Sequence, residues 1–592
     1  MCLPSGVCRG GVALILAGLC GCAGAIADDT GQQAIAPDPV MVADVQSNEL
    51  PDATSGAGGY LAGRHARLEN DSGAALRYFQ RALDDDPDNP ELLGRALMAA
   101  LAERDMVLAT EFAERLLVVD PESPIGLLSL SVTSALAGDW PNVSAIIERS
   151  PETGLNRYMV PLLTGWSKVA AGDQDGALLA LEPLAGNSIF ASTHDFHTGL
   201  MAELFGRMQA AESGYAGALS ALRGGSLRVV IAAGGFYHRA GRLDEARAIY
   251  DSFLDLNPDT TFLDPAYRRL DNGEPPAMLV RDANDGIAEA LYGAAISLYQ
   301  ENALEPALVY NQLALSLRPD FDVGLMLLGD ILTTMDQVDG AVEAYRSVPD
   351  DSPLKWAVRL RTANGLAELD EIEAAAEQLK IMARERPERA DPLIALADMM
   401  RVGERYDEAI EAYDLAFARI PTLENRHWPL LYARGMSLER AKQWERAESD
   451  FLRALELEPD QPLVLNYLGY SWVEMGRNLD QAREMIEKAV EQRPDDGYIV
   501  DSLGWVLFRL GEYEDAVRFL ERAAELRPND AVILSHFGDG LWQVGRLAEA
   551  RFQWRRALSF EPDAELDESL RRKIDQGLSE DDAESIVDLE DL

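Results

Sequence analysis

Small and apolar residues recur along this chain at a spacing that neither a single strand nor an isolated helix explains. One small-residue column falls at Ala75, Ala109, Val143, Ala177 and Ala211, each 34 residues after the last, and then at Ala246 after 35. It resumes at Ala307, Ala341, Ala375 and Ala409 with the same step, and continues through Ala447, Ala482, Ala516 and Ala550 with small insertions. Such a period marks a unit that cannot bury its apolar face alone and stacks on its neighbours. Residues 497–530 display the unit: Leu503-Gly504 and Leu507 in a first predicted helix, Ala516, Leu520 and Ala523 in a second, and Pro528 closing it. Residues 531–564 repeat those columns as Phe537-Gly538, Leu541, Ala550, Trp554, Ala557 and Pro562.

Each column has a physical reason. Gly or Ala is required where two antiparallel helices cross, because a larger side chain would push the axes beyond about 8–10 Å. Leu, Phe, Tyr and Trp fill the space around that crossing. Proline ends the second helix, since it lacks the N–H donor and disfavours the helical conformation in the residue before it. The pattern resembles the tetratricopeptide repeat, and that resemblance implies an all-α, right-handed solenoid of antiparallel helix pairs. About fourteen repeats are expected. Those at 124–225 are degenerate, with Ser131 in place of the helix-crossing Gly and Val143 in the Ala column.

The period breaks once. From Ala246 to Ala307 the step is 61, and the extra residues hold Pro265, Pro275 and Pro276 among scattered Asp. This divides the body into an N-terminal array (56–260), a junction (261–287) that is either a hinge or a packed insertion, and a C-terminal array (288–564). A capping helix is expected over 565–578. Residues 579–592 carry seven acids and no base, the pattern of a disordered tail.

The first residues read differently. A short basic start with Arg9 precedes an apolar run from Val12 to Leu19, which is the form of a secretory signal peptide and too short to span a bilayer. Leu19-Cys20-Gly21-Cys22 resembles a bacterial lipobox, which would make Cys22 the lipidated N-terminus after removal of 1–22. Ala25-Ile26-Ala27 offers an alternative cleavage before Asp28, removing 1–27. All four cysteines lie at or before Cys22, so the body holds no disulfide framework, cysteine metal site or thiol nucleophile. Residues 23–55, with six acids and no base, have the composition of a flexible tether.

Charge narrows the partners. With 100 Asp and Glu against 53 Lys and Arg, the net charge of −47 opposes nucleic acid, whose affinity comes from basic side chains displacing counterions. Membrane contact is expected only through the N-terminal lipid. No phosphate-binding Gly loop, nucleophile elbow or His-Glu-x-x-His is present. His194 and His197 are the one close histidine pair, and they read as ordinary helix residues. No catalytic residue, metal, cofactor or small-molecule substrate is expected.

What remains is a surface for protein partners. In the family that the chain resembles, positions 2, 5, 9 and 12 of each repeat face the concave wall. Here those columns hold Tyr432, Asn466, Tyr470, Tyr498, Asp501, Trp505, Phe508, Asp539 and Trp542, an aromatic stripe with polar punctuation. Rigid rings suit a peptide groove because they bury much area at small entropic cost; some of these rings are alternatively core between repeats. Tyr432, Asn466 and Asp501 occupy columns where some repeat modules place a clamp for a C-terminal carboxylate, and that clamp is absent.

A finer resemblance lies in His427-Trp428-Pro429, in Leu465-Asn466-Tyr467-Leu468-Gly469-Tyr470, in Asp501-Ser502-Leu503-Gly504-Trp505 and in Gly545-Arg546. These are similar to proteobacterial outer-membrane tetratricopeptide lipoproteins that serve as adaptors for periplasmic carboxy-terminal processing proteases. The resemblance implies an exported, lipid-anchored, non-catalytic scaffold that recruits a periplasmic protease or cell-wall factor. A scaffold for polysaccharide export or a surface machine is the alternative.

Overall fold

A computed structural model describes residues 56–151, 153–186, 190–221 and 226–578. The leader, Cys22, the tether 23–55 and the acidic tail 579–592 lie outside the described residues. Within them the chain forms helices and no strand. Numbered in chain order the helices fall into fourteen couples, from Gly56–Leu68 with Ser72–Asp85 to Ala531–Gln543 with Leu547–Leu558, followed by Ala564–Gln576; thirteen couples pack as pairs, and the ninth, Lys355–Glu368 and Ile372–Glu385, is divided between two units.

The 34-residue period has a backbone cause. Between the two helices of each pair the chain reverses through one residue in the left-handed region: Asn70, Arg104, Gly138, Gly172, Gly206, Gly241, Asn302, Asp336, Asp370, Glu404, Lys442, Gly476, Gly511 and Gly545. In every pair but the twelfth, this residue stands five positions before the small column. The twelfth holds one extra residue, and Asn478 there also takes a positive φ of 49°. In the first four pairs an aspartate (Asp71, Asp105, Asp139, Asp173) then caps the second helix with its carboxylate. The small column itself is sealed: Ala75 is 1% exposed, and Ala109, Val143, Ala516 and Ala550 are fully buried. At the helix crossing the fit leaves no room for a methyl group. A Cβ on Gly435 would lie 2.6 Å from the Phe451 ring, and one on Gly504 2.6 Å from Leu520.

The described residues fall into two compact units, 56–371 and 372–578. The break in the sequence period and the boundary between units are therefore different places. The junction lies inside the first unit, where it is packed. Helix Asp264–Asn272 is followed by an extended stretch in which Val280 is 2% exposed. Arg239 donates to the carbonyl of Ala277 at 2.9 Å and to Glu203 at 2.6 Å, and Arg318 donates to the carbonyl of Leu279 at 3.2 Å.

That packed junction redirects the chain. The seventh pair, Ala283–Gln300 with Leu304–Leu317, lies against the first helices of earlier pairs: Asn156–Ala170, Pro90–Ala102 and Pro124–Leu136. Gly286 sits on the face of Trp166, where any Cβ would clash with the indole. Arg228 grips Glu289 with two N–H donors, one at 3.1 Å to Oε2, and the Glu289 side chain is 1% exposed. Gln312 donates to the Ala102 carbonyl at 3.1 Å. Next to it in sequence, the eighth pair reaches the first, with Asn70 donating to the Met335 carbonyl at 3.1 Å and Gln337 donating to the Asn70 carbonyl. Repeat arrays ordinarily hold contacts between neighbours only. In the first unit the chain fills its own wall.

Candidate functional site

In the second unit the corresponding wall is built by the first helices Asp391–Val402, Trp428–Arg440, Pro462–Glu474, Gly497–Arg509 and Ala531–Gln543. The nine residues expected there divide into three groups and one outlier.

Tyr470, Asp501, Trp505 and Phe508 come together, and all four are buried. The Trp505 ring stacks on Phe508 at 4.9 Å and 5°, and on His536 of the next first helix at 4.1 Å and 16°. Its Nε1–H donates to Glu474 at 2.7 Å. Asp501 Oδ2 meets His536 Nδ1 at 2.9 Å. Burial, then the charge of Glu474, push the Tyr470 phenol well above its usual range. Burial alone would push His536 down, but the charge of Asp501 and its hydrogen bond, with Asp539 and Glu474 nearby, hold it above the usual histidine value.

Asp539 and Trp542 form a second group. Asp539 is 1% exposed, accepts from Trp554 Nε1 at 2.9 Å, and takes an ion pair from Lys573 of the last helix at 2.7 Å. It belongs to a recurring lock, an aspartate directly after the helix-crossing small residue that accepts from an aromatic fifteen residues on. Asp330 takes Tyr345 at 2.8 Å, and Asp398 takes Tyr413 at 2.5 Å. Trp542 is partly buried under Arg551 at 4.9 Å and beside Trp554 at 5.5 Å. The third group is Tyr432 against Tyr467 at 5.8 Å and Phe451 at 6.1 Å, its phenol pushed up to about 12 by burial. Asn466, also partly buried, lies one helix further along. Tyr498 is the outlier, 44% exposed with Arg527 4.9 Å over its ring.

The expectation of a solvent-facing stripe is thus corrected at Tyr470, Asp501, Trp505, Phe508 and Asp539. Adjacent first helices stand close enough for large side chains at positions 5, 9 and 12 to meet the next helix, so these groups satisfy one another. Tyr432, Asn466, Tyr498 and Trp542 keep accessible surface. The sequence reading missed the partners that stitch the wall: Glu439 taking Tyr467 at 3.0 Å, Glu474, His536 and Lys573. The period carried a signal for them, since His536 follows Asp501 by 35 residues and Lys573 follows Asp539 by 34.

Of the histidine pair singled out earlier, His197 is 2% exposed and its Nδ1 accepts from Trp166 Nε1 at 3.1 Å. Burial pushes its pKa down to about 3. Among the described residues no group of three His, Cys, Asp or Glu is placed to hold a metal ion, and no helix is long and apolar enough to cross a membrane.

Comparison with known proteins gives the class. Tetratricopeptide repeat models match residues 60–124, 428–461 and 473–531. The chain is an all-α protein that carries tetratricopeptide repeats. It is 29% identical over 194 residues to the TPR repeat-containing protein PA4667 of Pseudomonas aeruginosa, a match covering 33% of this chain and 32% of that protein. It is also 29% identical over 134 residues to the BBSome complex member BBS4 of Bos taurus, covering 23% and 25%. The chain therefore spans about a third or less of the length of these curated relatives. Among solved structures, the Cut9-Hcn1 hetero-tetramer of the APC/C aligns over 88% of this chain and 96% of its own at 15% identity and a TM-score of 0.37. YrrB, described as a TPR protein with an unusual peptide-binding site, aligns over 33% and 99% at 20% identity and a TM-score of 0.27.

Proposed function

We propose that this chain is a non-catalytic scaffold that binds a protein partner on the wall of its second unit, in a bacterial cell envelope. The carrying observation is the contrast between walls. In the first unit the wall is filled by the chain's own seventh helix pair, whereas in the second Tyr432, Asn466, Tyr498 and Trp542 keep accessible surface among ordered aromatic neighbours. Half-exposed rings held in place by packing suit a docking surface, because little side-chain entropy is lost on contact. The envelope setting is supported by the apolar run at 12–19 with Cys22 behind it, and by the adaptor resemblance over about 420–564. In this reading a lipid on Cys22 anchors the chain to the outer membrane, and the partner is a periplasmic protease or cell-wall factor. A partner from another envelope assembly is the second reading.

A photo-reactive amino acid placed at Tyr498 in the full chain tests the docking surface in cells. Adducts with a periplasmic hydrolase are expected there and not from the same probe at Leu291 in the filled wall. Adducts from Leu291 alone would overturn the assignment. The intact mass of the membrane-extracted protein separates a lipidated Cys22 from a start at Asp28.

A further inference from the structure

From Trp428–Arg440 to the last helix, Ala564–Gln576, each step along the wall of the second unit carries a side-chain polar contact. Tyr467 donates to Glu439, Trp505 to Glu474, and Lys573 to Asp539. The step between Gly497–Arg509 and Ala531–Gln543 is made by Asp501 and His536. Histidine is the side chain whose ordinary titration falls near neutrality, so this step differs in kind from the others.

We propose that Asp501 and His536 form a proton-operated tie across the wall of the second unit, closed as an ion pair when His536 is protonated and loosened when it is neutral. The geometry supplies what an imidazolium needs. Its Nδ1 lies 2.9 Å from Asp501, and its ring lies flat on Trp505 at 4.1 Å, the arrangement of a cation over an indole face. The charged groups around it come from each element packed there. Asp501 lies on its neighbour helix, Glu474 on the helix before that, and Asp539 on its own helix, with Lys573 of the last helix already paired to Asp539. Tyr470 also faces this cluster, its phenol kept protonated by burial. The charge of Arg509 also reaches Tyr470, but the three acids Asp501, Asp539 and Glu474 act on His536 itself, so the surroundings favour a positive imidazole.

Asp501 gives the same answer from the other side. Its second oxygen, Oδ1, is buried with no hydrogen-bond donor. A buried carboxylate with one oxygen unpaired is costly unless a full positive charge stands against it. Neutral imidazole at Nδ1 would still donate one hydrogen bond, but without the charge.

The direction of the effect follows. A histidine whose pKa is higher in the folded chain than in the unfolded one stabilises the fold fully below its ordinary value, and the contribution fades as pH rises through the folded value. The tie is therefore closed below the ordinary histidine value and opens as pH rises through the higher value of the folded chain. Trp505 and Asp501 belong to the wall proposed as the docking surface, so the tie would hold that surface rigid for a partner under acidic conditions. This consequence rests on the docking reading; the tie itself does not.

Histidine-labelled full chain, titrated by NMR with no partner present, tests it. His536→Gln identifies the signal among the six histidines. His536 is expected to titrate above the ordinary value of about 6.5, and Asp501→Asn to lower its midpoint by about one pH unit, a tenfold change in proton affinity. His197 serves as an internal control and stays neutral. A His536 midpoint at or below about 6.5, or one unmoved in Asp501→Asn, overturns the proposal. Amide exchange across 531–558 gives a second measure. Corrected for intrinsic rates, it is expected to slow by about threefold or more as pH falls through the His536 midpoint read by NMR in the wild type and to be flat in His536→Gln; equal pH dependence in both overturns the tie. If His536 titrates as expected while no adduct forms at Tyr498 at either pH, the tie stands and the docking reading falls.

Discussion

Trp166 and Trp505 stand at the same position of their helix pairs, eleven residues before the buried small residue, and each is followed 31 residues later by a histidine on the next first helix. In the first unit His197 meets the Trp166 ring edge-on, at 5.9 Å and 75°, and accepts its N–H. In the second unit His536 lies flat on Trp505, at 4.1 Å and 16°, and turns its Nδ1 to Asp501. The residue four before the tryptophan differs: Leu162 in one case, Asp501 in the other. The indole also has a different lid. Trp166 is covered by Gly286 of the chain's own seventh pair, whereas Trp505 is covered by its neighbours in the wall. One spacing therefore yields a neutral, dehydrated histidine in a sealed wall and a charge-seeking histidine in a wall that keeps some surface.

Substitutions at these rings give the largest expected effects. Trp166→Ala and Trp505→Ala should each destabilise their own unit by about 3–5 kcal/mol, because both rings are buried. Hydrogen exchange resolved by unit reads this. If Trp505→Ala with Trp542→Ala left helicity and exchange unchanged while abolishing adducts at Tyr498, the stripe would be an open groove and the comparison would break.

Lys573→Met tests whether the last helix locks the second unit. It leaves the Asp539 carboxylate buried, with Trp554 Nε1 as its remaining donor, at a cost of about 3 kcal/mol. Unchanged urea unfolding of 531–576 would show that the lock carries no energy. Gly286→Val is smaller, about 1–3 kcal/mol, since the seventh pair must shift off Trp166. Its signature is faster exchange in both 156–170 and 283–300; a change confined to one of them would mean that the pair does not seal the wall. Arg67→Ala, which removes an ion pair to Glu305 at 2.7 Å with side chains 40% and 33% exposed, should stay below about 1 kcal/mol. A larger loss in the thermal midpoint would place the closure of the first unit at its rim and not at Trp166.

Much of this was legible in the sequence. The small column set the register, and every member of it is buried beside a turn residue of positive φ. The turn column was partly visible, because Gly fills it at 138, 172, 206, 241, 476, 511 and 545, yet Arg104, Glu404 and Lys442 hide it elsewhere. The candidate stripe was less legible. A column assignment places Trp505 and Phe508 on the inner face of a helix, but it carries no information about how near the next helix stands. Phe508 at 3% exposure and Tyr498 at 44% show how widely accessibility varies among positions given one role. Asp539 was misplaced for a related reason: its columns with Asp330 and Asp398 form a structural lock, visible only once Tyr345, Tyr413 and Trp554 are seen to reach them.

The sequence by itself determined the helix pairs, their crossings and their turns, because those depend on contacts within a few tens of residues that a fixed period repeats. It also showed that the period breaks once, between Ala246 and Ala307. Only the tertiary structure decided what that break accomplishes. The packed junction turns the seventh pair onto the wall of the second, third and fourth, with contacts such as Tyr158 to the Ala290 carbonyl and Gln312 to the Ala102 carbonyl. Such pairings join positions 132 and 210 residues apart, outside any period, and follow from complementarity between surfaces that exist only after the repeats have stacked.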